Sequence, residues 1–133
     1  MTEQDLNRVR DLHKKIRDLE KLLATLRSRA EDISPARDGL PKPTDIQSKV
    51  ENLALKIVEK SIELDSLHEE ILNATIVLTE AICLHISDPV QRAVMLLRYV
   101  HCLHFRDIGF KLNKSDATIF RLHHEATEKM IVQ

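Results

Sequence analysis

Residues 9–33 read VRDLHKKIRDLEKLLATLRSRAEDI, and their apolar members recur in alternating steps of three and four. This spacing is typical of a coiled-coil helix, which buries one narrow apolar stripe against a partner helix. Ser34-Pro35 ends the pattern, because proline lacks the amide hydrogen that a helix interior needs. We predict a helix over 2–33 whose buried stripe, the first seam, is Val9, Leu12, Ile16, Leu19, Leu23, Leu26, Ala30 and Ile33.

A second heptad pattern follows a predicted loop of residues 34–44, which is rich in proline. We predict a helix over 45–86, with Thr44 as its N-cap and Gln47 as the capping-box partner. Because the loop is short, this helix folds back antiparallel on the first, and residues 1–86 form a long helical hairpin. The second seam is Val50, Leu53, Ile57, Lys60, Leu64, Leu67, Ile71, Ala74, Leu78, Ala81 and His85.

The second helix also carries apolar residues outside its seam, here called the second face. An exposed apolar patch of this size is unusual for a monomer, so we predict that it packs against another copy in a symmetric dimer. The alternative is that the C-terminal part of the same chain covers it. The five predicted dimer residues are Leu55, Val58, Ile62, Leu72 and Ile76.

The composition favours an all-α fold and excludes several other classes. Two glycines, no tryptophan and 3% aromatic residues in 133 argue against a β-sandwich or barrel. The apolar stretch 74–84 contains Glu80 and is much shorter than the roughly 20 residues that a membrane-spanning helix needs. The first residues do not resemble a secretory signal, so we expect a cytoplasmic chain with no membrane partner.

Residues 87–133 are predicted to form a separate small helical domain. Asp88-Pro89 is typical of a helix start, and this helix runs to about His101. A second helix spans 105–112, and after a turn at Asn113-Lys114 a third runs from its N-cap Ser115 toward Ile131. The predicted core residues are Val90, Val94, Leu97, Val100, Ile108, Leu112, Ile119, Leu122 and Ala126, and Tyr99 is predicted to pack between helices.

Two short helices joined by a tight turn are typical of the helix-turn-helix, whose second helix enters the major groove of DNA. The strings LLRY (96–99), FRDIG (105–109), LNKS (112–115) and TIFRLH (118–123) resemble the C-terminal region four of bacterial sigma factors. They are more closely similar to phage and prophage late-transcription activators of the RinA and ArpU kind. The resemblance implies a transcription regulator that acts on promoter DNA in a bacterial host, with RNA polymerase as a further partner.

The candidate DNA-binding residues follow from the outward positions of these helices. Arg121 is predicted to read a guanine, because its planar fork can bond O6 and N7 together. Its alternative role is a surface ion pair with Glu125, and the alternative for Phe120 is packing beneath the second helix. The predicted phosphate-binding and groove-facing residues are Arg106, Lys111, Lys114, Ser115, Thr118, Phe120 and His124.

Residues 87–133 hold seven basic and five acidic residues, a net charge of +2 against −1 for the whole chain. Ala117 and Glu125 occupy positions where the relatives tend to have basic residues. This difference favours an alternative function, a coiled-coil module that binds RNA polymerase or another protein without contacting DNA. A further hypothesis is that His123 and His124 gain charge below about pH 6.5 and strengthen phosphate contact.

The histidines and cysteines give no strong signal for a metal. Cys83 and Cys102 do not have the paired spacing of zinc ligands. No nucleophile with a base and no glycine-rich phosphate loop can be assembled from the sequence. We therefore expect no metal, no cofactor and no catalytic activity.

Overall fold

A computed structural model describes residues 1–32 and 43–131, and for residues 43–46 it describes the backbone only. Over these residues the fold is all-α, as predicted, and contains no strand. The helices are α1 (Glu3–Asp32), α2 (Pro43–His85), α3 (Pro89–Met95), α4 (Phe105–Leu112) and α5 (Asp116–Ile131), and a π-helical turn, Leu96–Val100, follows α3.

Two bounds differ from prediction at the junction of the hairpin. Helix α2 begins at Pro43, so the predicted end of the loop at residue 44 and the predicted N-cap Thr44 are wrong. The physical reason is that the fixed φ of proline suits the first turn of a helix, where its missing amide hydrogen costs nothing. Ile33, the last predicted residue of the first seam, and residues 34–42 of the predicted loop lie outside the described residues.

The chain divides into two compact units that differ from the predicted domains 1–86 and 87–133. One unit is Lys14–Glu69, and the other combines Met1–His13 with Glu70–Gln133. In the first unit the α1 seam is buried at Ile16, Leu19, Leu23 and Leu26. The α2 seam there is only half-buried, at Leu53, Ile57, Lys60, Leu64 and Leu67.

Val50 was predicted on the α2 seam, and this prediction is wrong, because the side chain is 40% exposed. It lies in the first turns of α2, which begins at Pro43. The last residue of the α1 seam with a described environment is Ala30, which is half-buried. Its single methyl group offers little apolar surface for a neighbour to cover.

The second unit is built around one buried cluster that draws on both hairpin helices and on the C-terminal helices. The start of α1 meets the end of α2, so these segments run antiparallel as predicted, and Arg8 pairs with Glu70 at 2.7 Å. Helices α3 and α5 complete the cluster. Its buried members are Leu6, Val9, Leu78, Ile82, Ile86, Met95, Tyr99, Ala126 and Met130, which confirms the buried position of Tyr99.

At the end of α2 the buried stripe differs from the predicted seam. Ile82 and Ile86 are fully buried, whereas Ala81 is half-buried and His85 is exposed. The predicted burial of His85 is therefore wrong. A straight helix has 3.6 residues per turn, so a strict 3.5-residue spacing drifts around the helix by about 20° per heptad. In the same unit α3 and α5 pack at this end of α2, and Ile82 and Ile86 are the side chains that they help to bury.

A second, smaller cluster joins α3, α4 and α5 through Val94, Ile108, Ile119 and Leu122. These four were all predicted core residues. The predicted helix from Pro89 to about His101 is confirmed in extent, because helical backbone runs from Pro89 to Val100, but Leu96–Val100 form a π-helical turn where an α-helix was expected. The five predicted dimer residues on α2 are all exposed, between 49% and 65%. Within the described residues, no helix combines the length and the apolar character needed to cross a membrane.

Candidate nucleic-acid interface

The turn between α4 and α5 is made by a left-handed residue at the end of α4. Asn113 has φ 55° and ψ 50°, a conformation that asparagine tolerates better than most residues. The amide of Lys114 donates to the carbonyl of Gly109 at 2.9 Å, and the amide of Asn113 donates to Phe110 at 3.4 Å. This pair of bonds is a Schellman motif, which ends a helix and satisfies its last carbonyls. The predicted turn at Asn113-Lys114 is confirmed.

Gly109 allows this turn to approach α4 closely. A β-carbon at this position would lie 2.9 Å from the carbonyl oxygen of Lys114, closer than van der Waals contact permits. Any larger side chain would therefore push the turn away from α4. The glycine thus sets the position of the start of α5 relative to α4.

Ser115 caps α5 as predicted. Its hydroxyl accepts a hydrogen bond from the amide of Thr118 at 3.3 Å, and its Oγ lies 2.9 Å from the Thr118 hydroxyl. The cap satisfies one of the amides at the start of α5, which would otherwise lack a partner. Thr118, one of the predicted phosphate-binding and groove-facing residues, is half-buried.

The outward face of α5 contains the predicted residues. Asp116, Ala117, Phe120, Arg121 and His124 are all exposed. They are free of the core because Ile119, Leu122 and Ala126 take the buried positions of the same helix.

The cationic side chains of this face are paired with carboxylates one turn further along α5. Arg121 Nη1 lies 3.3 Å from Glu125 Oε1, which confirms the alternative of a surface ion pair. His124 Nε2 lies 3.1 Å from Glu128 Oε1, an ion pair only when the imidazole is protonated. Arg121 nevertheless remains 62% exposed, so the ion pair leaves the guanidinium accessible to a ligand.

The predicted phosphate-binding residues flank the turn. Arg106, Lys111 and Lys114 are exposed, and none of them forms an ion pair with another residue in the described part of the chain. Arg106 and Lys114 line an open surface groove at the turn, together with Phe110, Ser115 and Asp116.

Phe110 was not singled out from the sequence. It is 74% exposed, and the guanidinium carbon of Arg106 lies 5.9 Å from its ring centroid. The only available signal was its spacing, because residue 110 falls four positions after Arg106 and two after the buried Ile108.

An aromatic group holds α5 against α4 and the π-helical turn. The Phe105 and Phe120 ring centroids are 4.9 Å apart, and Phe105 also meets His123 edge-on at 4.9 Å. Phe120 is therefore 52% exposed and also in contact with α4. Exposure was expected for a groove-facing residue, and contact with α4 was expected for the alternative in which Phe120 packs beneath the second helix. The Tyr99 hydroxyl lies 2.6 Å from His123 Nε2.

His123 differs from the neighbouring His124. Its ring is half-buried and stacks on Tyr99 with centroids 5.6 Å apart. Burial lowers the pKa of His123, and the nearby Arg98 lowers it further. The surroundings of His123 therefore favour the neutral ring and oppose the gain of charge that the sequence suggested for it.

Two polar residues of the site were missed by the sequence analysis. Arg98 donates to the Leu103 carbonyl at 3.0 Å and stacks 4.2 Å from the Phe105 ring centroid, bracing the segment between the π-helical turn and α4. Gln91, which is buried, donates to Glu125 at 2.9 Å. No local pattern indicates the contact of Gln91 with Glu125, since these residues are 34 positions apart.

The cysteines and histidines do not assemble a metal centre among the residues that the structure describes, where no group of three or more His, Cys, Asp or Glu side chains could hold an ion. Cys83 is exposed and Cys102 is half-buried. Comparison of the chain with protein-family models, curated proteins and solved structures found no match in any of the three.

Proposed function

We propose that this protein is a phage-type transcription regulator that binds promoter DNA through α4 and α5. The observation that carries the proposal is the exposure of Arg121 on α5, together with that of Arg106 and Lys111 on α4 and of Lys114 in the turn between the two helices. Three cations close to a capped helix start suit phosphate binding, and an exposed arginine on the following helix suits base reading.

We further propose that the protein acts as a homodimer. The side chains of the second face supply the support, because Leu55, Val58 and Ile62 are exposed in one unit and Leu72 and Ile76 in the other. A dimer also compensates for the modest positive charge of residues 87–133, since two linked modules bind far more tightly than one. RNA polymerase is a further partner in this proposal, as the resemblance to transcription activators implies.

Salt dependence of duplex binding tests the proposal most directly. Each phosphate neutralised adds about −0.9 to the slope of log affinity against log salt, so three cations give a slope of about −3 per subunit. We expect Lys114→Ala to reduce the slope by about 1 and to weaken all duplexes alike. Lys49→Ala, which removes an exposed lysine of α2, is the matched control and leaves the slope unchanged.

Selection from a random duplex pool tests base reading. We expect the wild-type protein to enrich an inverted repeat, because a symmetric dimer presents two copies of α5. Arg121→Ala is expected to lose the sequence preference while it keeps salt-dependent binding. Equal, nonspecific losses from Arg121→Ala and Lys114→Ala would show that Arg121 reads no base.

A second candidate function is a coiled-coil module that binds RNA polymerase or another protein and never touches DNA. Phe110 favours it, because a phenylalanine that is 74% exposed is a typical anchor for a protein partner. A flat salt response, or no duplex binding, would support this candidate over the regulator.

A further inference from the structure

Glu125 sits at the centre of a hydrogen-bond network that spans α3 and α5. One of its carboxylate oxygens lies 3.3 Å from Arg121 Nη1. The other accepts a hydrogen bond from Gln91 Nε2 at 2.9 Å. Lys129 Nζ donates to Gln91 Oε1 at 2.7 Å, so the ammonium group of Lys129 bonds the amide of Gln91.

This network fixes the place of the carboxylate. Gln91 is the buried polar residue of α3, and its amide is engaged at both ends. A surface glutamate ordinarily rotates freely and can turn away from an approaching ligand. Glu125 can do so only by breaking its bond to Gln91, and a buried donor left without a partner is costly.

Because the Glu125 carboxylate is fixed beside Arg121, it affects the binding of a phosphate and the binding of a guanine edge to different extents. A phosphate that approaches the guanidinium also approaches the negative charge of Glu125, and like charges repel. The edge of a guanine has no net charge, and its O6 and N7 have only partial negative charge, so it accepts from Arg121 with a smaller penalty. A repulsive element of this kind raises specificity at the expense of affinity.

We infer that Glu125 is a specificity-determining residue that directs Arg121 toward a guanine edge and away from the phosphate backbone. The inference rests on the proposed DNA-binding function. Glu125 thereby lowers the affinity for duplexes that lack the target sequence more than it lowers the affinity for the target.

The test compares Glu125→Gln with Glu128→Gln. Both changes remove one negative charge from α5, and glutamine at 125 still accepts from Gln91. Glu128 is 62% exposed and lies beside His124, so it controls for the change in net charge. The probes are a random-sequence duplex pool and the duplex that the wild-type protein enriches from that pool.

We expect Glu125→Gln to raise the affinity for the random pool by up to about fivefold, the upper range for an exposed ion pair. Its affinity for the enriched duplex changes less than about twofold, so selectivity falls. Glu128→Gln is expected to raise the affinity for the random pool and the affinity for the enriched duplex by the same factor, which is smaller than the gain of Glu125→Gln on the random pool. In an Arg121→Gln background the excess effect of Glu125→Gln disappears, because the two residues act as a pair. Thermal unfolding of each variant checks that the fold is kept, and Glu125→Ala provides a second variant without the charge.

Two results overturn the inference while the proposed function stands. One is salt-dependent binding in which Glu125→Gln and Glu128→Gln raise both affinities equally. The other is a gain from Glu125→Gln that is the same with and without Arg121. If neither the wild-type protein nor any variant binds a duplex, the proposed function and the inference both fail.

Discussion

The two parts of α2 carry similar apolar spacing but bury it to different extents. In the unit Lys14–Glu69, Leu53, Ile57 and Leu64 are half-buried. In the other unit, Leu78 and Ile82 are 2% and 0% exposed. The difference lies in what surrounds each part. Ile82 belongs to a cluster that includes α1, α3, the π-helical turn and α5, so more than one neighbouring element covers it.

The comparison shows what a helical hairpin can and cannot bury by itself. A pair of helices covers one stripe on each, and a long helix with further apolar residues needs another layer. In one unit the C-terminal helices supply that layer for Leu78 and Ile82, while Leu72 and Ile76 stay exposed. In Lys14–Glu69, Leu55, Val58 and Ile62 remain exposed, and we propose that a second copy of the chain covers them.

The largest effect is expected from the triple substitution Leu55→Gln, Val58→Gln and Ile62→Gln. Complete burial of each aliphatic side chain stabilises by about 1.5–3 kcal/mol, and a symmetric dimer buries each position twice. We expect self-association to weaken by at least about 1,000-fold, measured by sedimentation over a range of protein concentrations.

The matched control for that experiment is Lys56→Gln with Glu63→Gln, which alters exposed residues of the same helix and leaves the net charge unchanged. It is expected to keep the wild-type oligomeric state. A wild-type chain that stays monomeric at high concentration, or a triple variant that still dimerises, would contradict the proposed dimer.

Two isoleucine-to-alanine substitutions, one in each part of α2, measure how much the burial of each part contributes to the free energy of unfolding. Ile82→Ala removes a fully buried side chain and is expected to lower the free energy of unfolding by about 2–5 kcal/mol. Ile57→Ala removes a half-buried one and should cost less than half as much when measured by urea unfolding at low protein concentration. Equal costs at every concentration would mean that the two parts of the helix are buried equally.

The smallest effect is expected in the pH dependence of stability that comes from His123. This residue contacts Tyr99, which belongs to the layer that covers the end of α2. Burial lowers the pKa of His123 below its usual value of 6.5, so the unfolded chain takes up a proton at higher pH than the folded chain does. Stability is therefore complete above about pH 6.5 and falls as the pH drops below it, and the fall is small because solvent screens a half-buried ring.

Thermal unfolding between about pH 7.5 and pH 5 measures this dependence around the histidine pKa. The variant His123→Gln is expected to lose part of this pH dependence of stability. An unchanged pH profile in His123→Gln would show that the Tyr99–His123 contact does not contribute to it.

Much of the candidate site could be predicted because its signals are local. Asn113 ends α4 and Ser115 caps α5 through bonds to residues at most five positions away, so the bounds of these helices follow from short sequence patterns. The exposed positions of α5 follow from helical periodicity in the same way. The pairing of Arg121 with Glu125 was available as an i, i+4 alternative.

The contacts that were missed join residues far apart in the chain. Glu125 is anchored by Gln91, 34 residues earlier, and Tyr99 meets His123 from 24 residues away. The π-helical turn makes one contact of this kind, since Tyr99 packs on His123, and one nearer contact, since Arg98 stacks on Phe105. Periodicity alone extends α3 through these residues, because it contains no information about what they will meet.

The sequence by itself determined the all-α class, the antiparallel hairpin and the bounds of α4 and α5, since each depends on apolar spacing or on bonds between near neighbours. Only the tertiary structure decided which apolar residues of α2 are covered. It placed Ile82 and Ile86 in the core, where Ala81 and His85 were expected. The physical reason is that burial depends on all the elements packed around a side chain, and those elements come from distant parts of the chain.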